Sequence, residues 1–312
     1  MRIRTFQPGD EEKQVAVFNE AAAELPKFKP SFPEEVRRRR RAPDFDPTAR
    51  LYVEEGGDVV AYAGFQPNGR ISFPWCRKKH EHLAEPLLEQ LLQTMRQRGI
   101  TTAFAAYRPD WEPILAFLRQ RGFQHTRDLI SYYLDLVEMP TPAARRGFSM
   151  TALQRDDIPG LIALAPDVLR ITDPVMLESY FFDNPYFRAE CLFVTRQRDD
   201  GSPQAVGILI DDPSYADPRM LDAATPCFRL GAFGTEGMTT KRVRGLFSFL
   251  VRDEPKAPVL ALDLLGYAAW RLNDSDVETF AAQVPSDAPH LVRFYQQYFR
   301  RQGSFPILEK QL

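Results

Sequence analysis

The sequence predicts a mixed α/β protein, an α+β mixed sheet with helices, built from two tandem copies of one domain. Three observations carry this expectation. The chain has 312 residues, about twice the roughly 150 of a typical domain. β-rich runs alternate along it with segments of helical apolar spacing. The first half also repeats in the second: Thr5, Asp10, Val15 and Phe18 correspond to Thr151, Asp156, Leu161 and Leu164, an offset of 146 residues (151 − 5).

Each half opens with a strand, an acidic turn and an amphipathic helix. A capped helix follows in both. Ser31 with Glu34 reads as a capping box with Pro33 in the first turn, and Thr172, Asp173 and Pro174 open the matching segment. Leu51, Tyr52 and Val53 pair with Leu192, Phe193 and Val194 as a β-rich run. Gly56, Gly57 and Asp58, against Asp199, Asp200 and Gly201, then supply hairpin turns before the returning strands Val59 to Phe65 and Ala205 to Ile210. In the first half a long helix carries Leu83, Leu87, Leu88, Leu91, Leu92 and Met95 on one face and stops at Gly99. A strand from Thr101 to Tyr107 and a short helix with Ile114, Leu115 and Leu118, closed by Gly122 and Phe123, complete it. The second half is expected to repeat this order. Its helix would carry Leu246, Phe247, Phe249 and Leu250, its strand would run from Val259 to Leu265, and its closing helix would run from His290 to Gly303 before Phe305. The stretch from Trp270 to Pro289 reads as an insertion. The proline pair Pro140 and Pro142 in an aperiodic stretch places a linker at 140–147, between domains 1–139 and 148–312.

Composition excludes several classes. Hydrophobic residues at 44% and charged residues at 26% argue against disorder and disulfide scaffolds. Lys plus Arg is 40 against 42 Asp plus Glu, a net charge of −2, so no global field draws the chain to nucleic acid or to an anionic membrane. No apolar run reaches the roughly 18 residues of a spanning helix, and Arg2, Arg4 and Asp10 interrupt any signal-peptide core, so a cytoplasmic protein is expected. Cys76, Cys191 and Cys227 are widely spaced with no CxxC pair, and are expected to be reduced and structural. The 26 prolines against 17 glycines leave little material for glycine-rich phosphate loops.

The order of strand, two helices, hairpin, strand, long helix, strand and short helix closed by Gly-Phe resembles the GCN5-related N-acetyltransferase (GNAT) superfamily, here as a tandem pair of acyl-CoA N-acyltransferase domains. The resemblance implies a pyrophosphate cradle where a strand enters the long helix, patterned as Arg or Gln, two residues, Gly, one residue, then Gly or Ala. Helix N-terminal N–H groups bind the phosphates there, and small residues let the backbone approach. In the first half that slot falls on Lys79, His82 and Ala84, with only the last small residue kept. In the second it falls on Arg242, Val243, Arg244, Gly245, Leu246 and Phe247, so the second domain is the expected cofactor site. The resemblance further implies acetyl-CoA or another acyl-CoA as co-substrate, no metal, and a small-molecule or peptide amine as acceptor. Amine acylation needs a base and an acid for the leaving thiolate, and Glu236 and Tyr298 are the candidates. The family's tyrosine position falls on Leu118 in the first half.

Other signals have plainer readings. Arg37 to Arg41 end a capped helix, where cations suit the C-terminal dipole. His80 and His82 lie beside Arg77, Lys78 and Lys79, which would repel a metal ion. Two alternatives stand beside the enzyme: a non-catalytic coenzyme A-binding or scaffold protein with degenerate domains, and an aminoacyl-tRNA-dependent transferase, which the absence of a basic stripe disfavours.

Overall fold

The computed structural model describes residues 2–41, 45–139, 149–169, 173–183, 187–197, 201–211, 245–272 and 278–312. The chain forms two compact units, one of Met1–Arg127 with Phe305–Leu312, the other of Asp128–Ser304. The expected linker at 140–147 lies outside the described residues. No helix among the described residues is long and apolar enough to cross a membrane.

The first unit runs β1 (Arg2–Thr5), α1 (Asp10–Ala22), α2 (Pro33–Arg40), β2 (Arg50–Glu55), β3 (Asp58–Gly64), β4 (Trp75–Cys76), α3 (Ala84–Gln97), β5 (Thr102–Ala106), α4 (Glu112–Gln120) and the start of β6 (Gln124–Asp135). Strands β1 to β4 form an antiparallel sheet in chain order. Gly56 and Gly57 make the β2–β3 turn at φ 60° and 91°, a left-handed pair that matches the twist of a hairpin. The leucine face of α3 is buried, with Leu87, Leu88, Leu91, Leu92 and Met95 all inside. The helix stops where Gly99 and Ile100 bond back to Arg96 and Met95 carbonyls at 2.9 and 3.1 Å, a Schellman arrangement. α4 stops the same way, through Gly122 and Phe123 bonding to Arg119 and Leu118.

The capping acid of α2 is Glu35 rather than Glu34. Ser31 Oγ donates to Glu35 at 2.6 Å, whereas Glu34 turns outward to Arg37. The arginine run is structural in part: Arg37 pairs with Glu12 and Arg40 with the buried Glu11. Cys76 is buried, and desolvation pushes its thiol up to about 12; Cys191, half-buried, is pushed up to about 11 for the same reason. Both thiols are poor nucleophiles at neutral pH.

The first unit is completed from the far end of the chain. In β12 (Arg300–Gln311) the stretch Ile307 to Gln311 pairs antiparallel with β5, from Ile307↔Ala106 to Gln311↔Thr102. Ile307 and Leu308 are buried there, and Glu309 meets the buried Arg127 at 2.8 Å.

The second unit contains the rest of β6, then β7 (Ser149–Ala152), α5 (Ile158–Leu164), α6 (Pro166–Leu169), α7 (Pro174–Phe182), β8 (Leu192–Arg196), β9 (Pro203–Ile210), β10 (Gly245–Val251), α8 (Ala257–Arg271), β11 (Thr279–Pro285) and α9 (Pro289–Tyr298). Its sheet has the order β6-β11-β10-β9-β8-β7. Asp173 caps α7 as expected, accepting from Val175 N at 2.9 Å. The turn hydrogen bonds after β1 and β7 set the acidic position of the repeat one residue further on than sequence matching does. Gln7 N bonds Asp10 at 2.7 Å and Gln154 N bonds Asp157 at 2.8 Å, so Asp10 corresponds to Asp157 rather than Asp156, an offset of 147 (157 − 10).

Four expectations for the second half are corrected. Residues 246–250 lie in the strand β10, not in a helix, and Val259–Leu265 lies in the helix α8, not in a strand. All seven residues of β10 are buried, and a short continuous apolar run of that kind fits a strand covered on both faces. In α8 the buried residues Ala257, Leu260, Ala261, Leu264, Leu265 and Ala268 recur every three to four positions, the helical period. The supposed insertion supplies β11, and Gly303 and Phe305 lie within β12 rather than ending a helix.

Candidate functional site

The second unit's sheet opens between β10 and β11. β10 pairs with β9 along six residues, Leu246↔Ile210 to Val251↔Ala205. β11 pairs with β6 along all seven of its residues, Thr279↔Asp135 to Pro285↔Leu129. The parallel pairing of β10 with β11, by contrast, is confined among the described residues to Gly245↔Phe280 and Leu246↔Ala281. From Phe247 and Ala282 onward the two strands face each other without pairing, although both are buried. Buried backbone groups require hydrogen-bond partners, so this edge is suited to an extended ligand that carries amides.

Four buried polar atoms with no hydrogen-bond partner among the described residues lie on the elements around this opening: Ser248 Oγ, Gln283 Oε1, Tyr132 Oη and His290 Nε2. His290, near the start of α9, lies close to Val251, the last residue of β10, whose backbone favours the protonated ring. Nδ1 lies 3.8 Å from Asp253. Burial pushes the imidazole below its usual range, against the smaller opposing pull of Asp253, so the ring is neutral at pH 7 and Nε2 can accept. Tyr132 stacks on Tyr295 with centroids 5.5 Å apart, and desolvation raises its hydroxyl above the usual phenol range. Its strand partner is Ala282, the first residue of β11 past the pairing. On the same face Phe247, Phe249, Phe280, Phe294 and Phe299 form a contiguous aromatic layer, in which Phe247 stacks on Phe280 and Phe299, and Phe294 meets Phe249 edge-on.

Of the expected cofactor residues, Gly245, Leu246 and Phe247 form the start of β10. They belong to the strand leading into the opening, not to a helix N-terminus. Arg242, Val243, Arg244 and Glu236 lie outside the described residues. Tyr298 is the final residue of α9, half-buried, with its ring 4.8 Å from Phe294. The strand-to-helix junction that sequence matching missed is the one from β10 to α8. It carries Arg252, Asp253, Glu254, Pro255 and Lys256 before Ala257. The signal that could have located it is the helical period of α8 itself.

The first unit's counterpart is closed by its own side chains. Arg70 and Phe104 make a parallel bridge, after which β4 turns to pair with β3 and β5 runs on. Phe73, Trp75, Tyr107 and Trp111 fill the space, with centroid separations of 5.0 Å for Phe73–Trp75, 6.4 Å for Trp75–Tyr107 and 6.0 Å for Tyr107–Trp111. The Tyr107 hydroxyl accepts the Phe73 N–H, satisfying a strand group that an extended ligand would otherwise take. The following turn is lined by acids: Lys78 N donates to Glu20 at 2.9 Å, Lys78 Nζ pairs with Glu24 at 2.7 Å, and His80 meets Glu55 at 3.1 Å. Lys79 holds a left-handed φ of 73°. These acids offset the charge of Arg77, Lys78 and Lys79, so the turn offers a pyrophosphate little net attraction. Among the described residues no cluster of three or more His, Cys, Asp or Glu could hold a metal ion.

No profile of a known family and no curated protein matches the sequence. Solved structures do. The chain is similar to a GCN5-related N-acetyltransferase from Sphaerobacter thermophilus at 14% identity and TM-score 0.57, over 99% of this chain and 95% of that one. It is similar to a tandem GNAT protein from the clavulanic acid biosynthesis pathway at 14% identity and TM-score 0.57, over 99% and 98%. A GCN5-related N-acetyltransferase from Kribbella flavida matches at 11% identity and TM-score 0.60, over 100% and 71%. With a sheet that parts between parallel strands in each unit, the chain has the fold of the GCN5-related N-acetyltransferases in a tandem pair.

Proposed function

We propose that the protein transfers an acyl group from acyl-coenzyme A, with acetyl-CoA the expected donor, to the amine of a small molecule or peptide, and that the second unit carries the site. The observation that supports this most is the parting of β10 from β11. The pantetheine arm of coenzyme A is an extended chain with two amides, and it can pair with the free edge of β10 much as an added strand would. His290 Nε2 would accept one amide N–H at the wide end. The pyrophosphate would lie at the N-terminus of α8, between Arg252 and Lys256, where the helix dipole favours an anion. Pro255 lacks the N–H that a glycine would offer, which predicts weaker binding than a glycine-bearing cradle gives. The first unit, its opening filled, has a structural role in this reading.

Coenzyme A supplies an activated thioester. The amine lone pair attacks the thioester carbon, a C–N bond forms, the C–S bond breaks, and the thiolate receives a proton as the amine loses one. Glu236 is retained as the proposed base. Tyr132, whose raised pKa keeps it protonated, is a better-placed acid than Tyr298 because it borders the narrow end of the opening. Tyr132→Phe is expected to lower kcat about 10²-fold without a comparable change in acetyl-CoA affinity, measured by thiol release.

Acetyl-CoA should raise the melting temperature. A hundredfold excess over Kd contributes about 2.7 kcal/mol. Charge reversal at Arg252 and Lys256 together is expected to abolish the shift, whereas Lys79→Glu in the first unit should leave it. A shift lost with Lys79→Glu, or absent from the native protein at millimolar ligand, contradicts the proposal. The non-catalytic alternative predicts the shift without acyl transfer.

A further inference from the structure

Ser248 and Gln283 occupy equivalent positions on the two sides of the opening. Leu246↔Ala281 is the last parallel pair, and residues paired across strands share a face of the sheet. Two positions on, Ser248 and Gln283 return to that same face, so they are the first side chains on it beyond the point where the strands part. Both are almost fully buried, at 1% and 2% exposure. Gln283 is held from its other neighbour: its strand partner on β6 is Ser131, and Gln283 Nε2 donates to Ser131 Oγ at 3.1 Å. That bond fixes the amide and leaves Oε1 with no partner among the described residues, as is Ser248 Oγ.

Leaving two such atoms unpaired in a buried site is costly, so a pair of them at the narrow end of a ligand opening points to a ligand group that completes both. Within the sheet, the side chains next to them on this face are Leu246, Leu250, Ile208, Ala281, Pro285 and Ser131, none of which carries a charge. An ammonium brought here would lose its hydration with no counter-charge from these neighbours, a large penalty. A neutral amine would not: its N–H groups can donate to Gln283 Oε1 and Ser248 Oγ, leaving the nitrogen lone pair free.

We infer that Ser248 and Gln283, with Ser131 as the positioning residue behind them, form the recognition site for the acyl acceptor, and that the site selects a weakly basic, uncharged amine over an alkylammonium. The inference rests on the acyl-transfer reading and narrows its substrate class to arylamines, hydrazides and similar nucleophiles that are neutral at physiological pH.

Aniline and benzylamine test it, since they are similar in size but at pH 7 the first is neutral and the second cationic. Equilibrium binding of each is measured in the presence of coenzyme A. The native protein is expected to bind aniline at least tenfold more tightly. Gln283→Leu, close in volume, should lose at least fivefold for aniline, and Gln283→Glu should move the preference toward benzylamine, with circular dichroism confirming that both variants fold. Equal affinities, a preference for benzylamine, or binding of neither amine overturns the inference, as does a Gln283→Leu variant that keeps the native preference. The coenzyme A melting shift of the native protein is recorded in parallel. Its absence defeats the acyl-transfer reading, while its presence with no amine discrimination defeats this inference alone.

Discussion

Removing Phe305–Leu312 is expected to unfold the unit built on Met1–Arg127. These eight residues hold the free edge of β5, and three of their side chains, Phe305, Ile307 and Leu308, are buried at 8%, 2% and 0% exposure. Burying each contributes about 1.5–3 kcal/mol, so their loss removes roughly 5–9 kcal/mol, comparable with the whole stability of a typical domain. The deletion also takes Glu309 from the buried Arg127 and the Lys310 ammonium from the Arg121 carbonyl at α4's end, a bond of 2.7 Å. Limited proteolysis should then cut within 2–127. The milder Leu308→Ala should cost about 2–5 kcal/mol in urea titration. A native-like melt of the deleted chain would show that the strand return is dispensable.

Asp10→Ala is expected to cost about 3–5 kcal/mol, the usual loss when one partner leaves a buried ion pair. Asp10 and Arg4 have side-chain exposures of 3% and 7%, and their closest atoms lie 2.6 Å apart. Arg4 also holds Glu54 at 2.7 Å, which ties α1 to β1 and β2. Burial by itself would push the Asp10 carboxyl up, but hydrogen bonds from Arg4 and the Gln7 N–H outweigh it and hold the group below its ordinary value. The sign of the pH effect follows. A carboxyl depressed in the folded state stabilises the protein fully above the ordinary carboxylate range of about 4, and that stability is lost as pH falls through the folded-state value. The gap between native protein and Asp10→Ala should therefore be full at pH 7 and shrink below about pH 4. A gap that is constant down to pH 2 would refute the assignment.

The first half was legible because its signals are local. The α3 leucine face shows the helical period, and the Gly99 and Gly122 stops and the Gly56–Gly57 turn place glycine where a positive φ favours it. In the second half, β10 is apolar at nearly every position, so periodicity could not separate strand from helix, and the search for an Arg-Gly pattern drew the helix onto Arg242–Phe247. The period of α8 was in the sequence all along. The return of Phe305–Leu312 to the first unit was not legible, because an alternating strand carries no mark of which sheet receives it. The candidate site was partly legible. The sequence pointed to the second half through Gly245, but the polar side chains Ser248, Gln283, Tyr132 and His290 become apparent only when strand register shows where β10 and β11 part.

Hydrogen–deuterium exchange with and without acetyl-CoA tests the central claim most directly, because it reads the edge of β10 itself. Ligand should slow exchange in 247–251 and 282–285 and at the start of α8, while 73–78 in the first unit stays unchanged. Protection confined to 73–78, or none in β10 at saturating acetyl-CoA, would contradict the account.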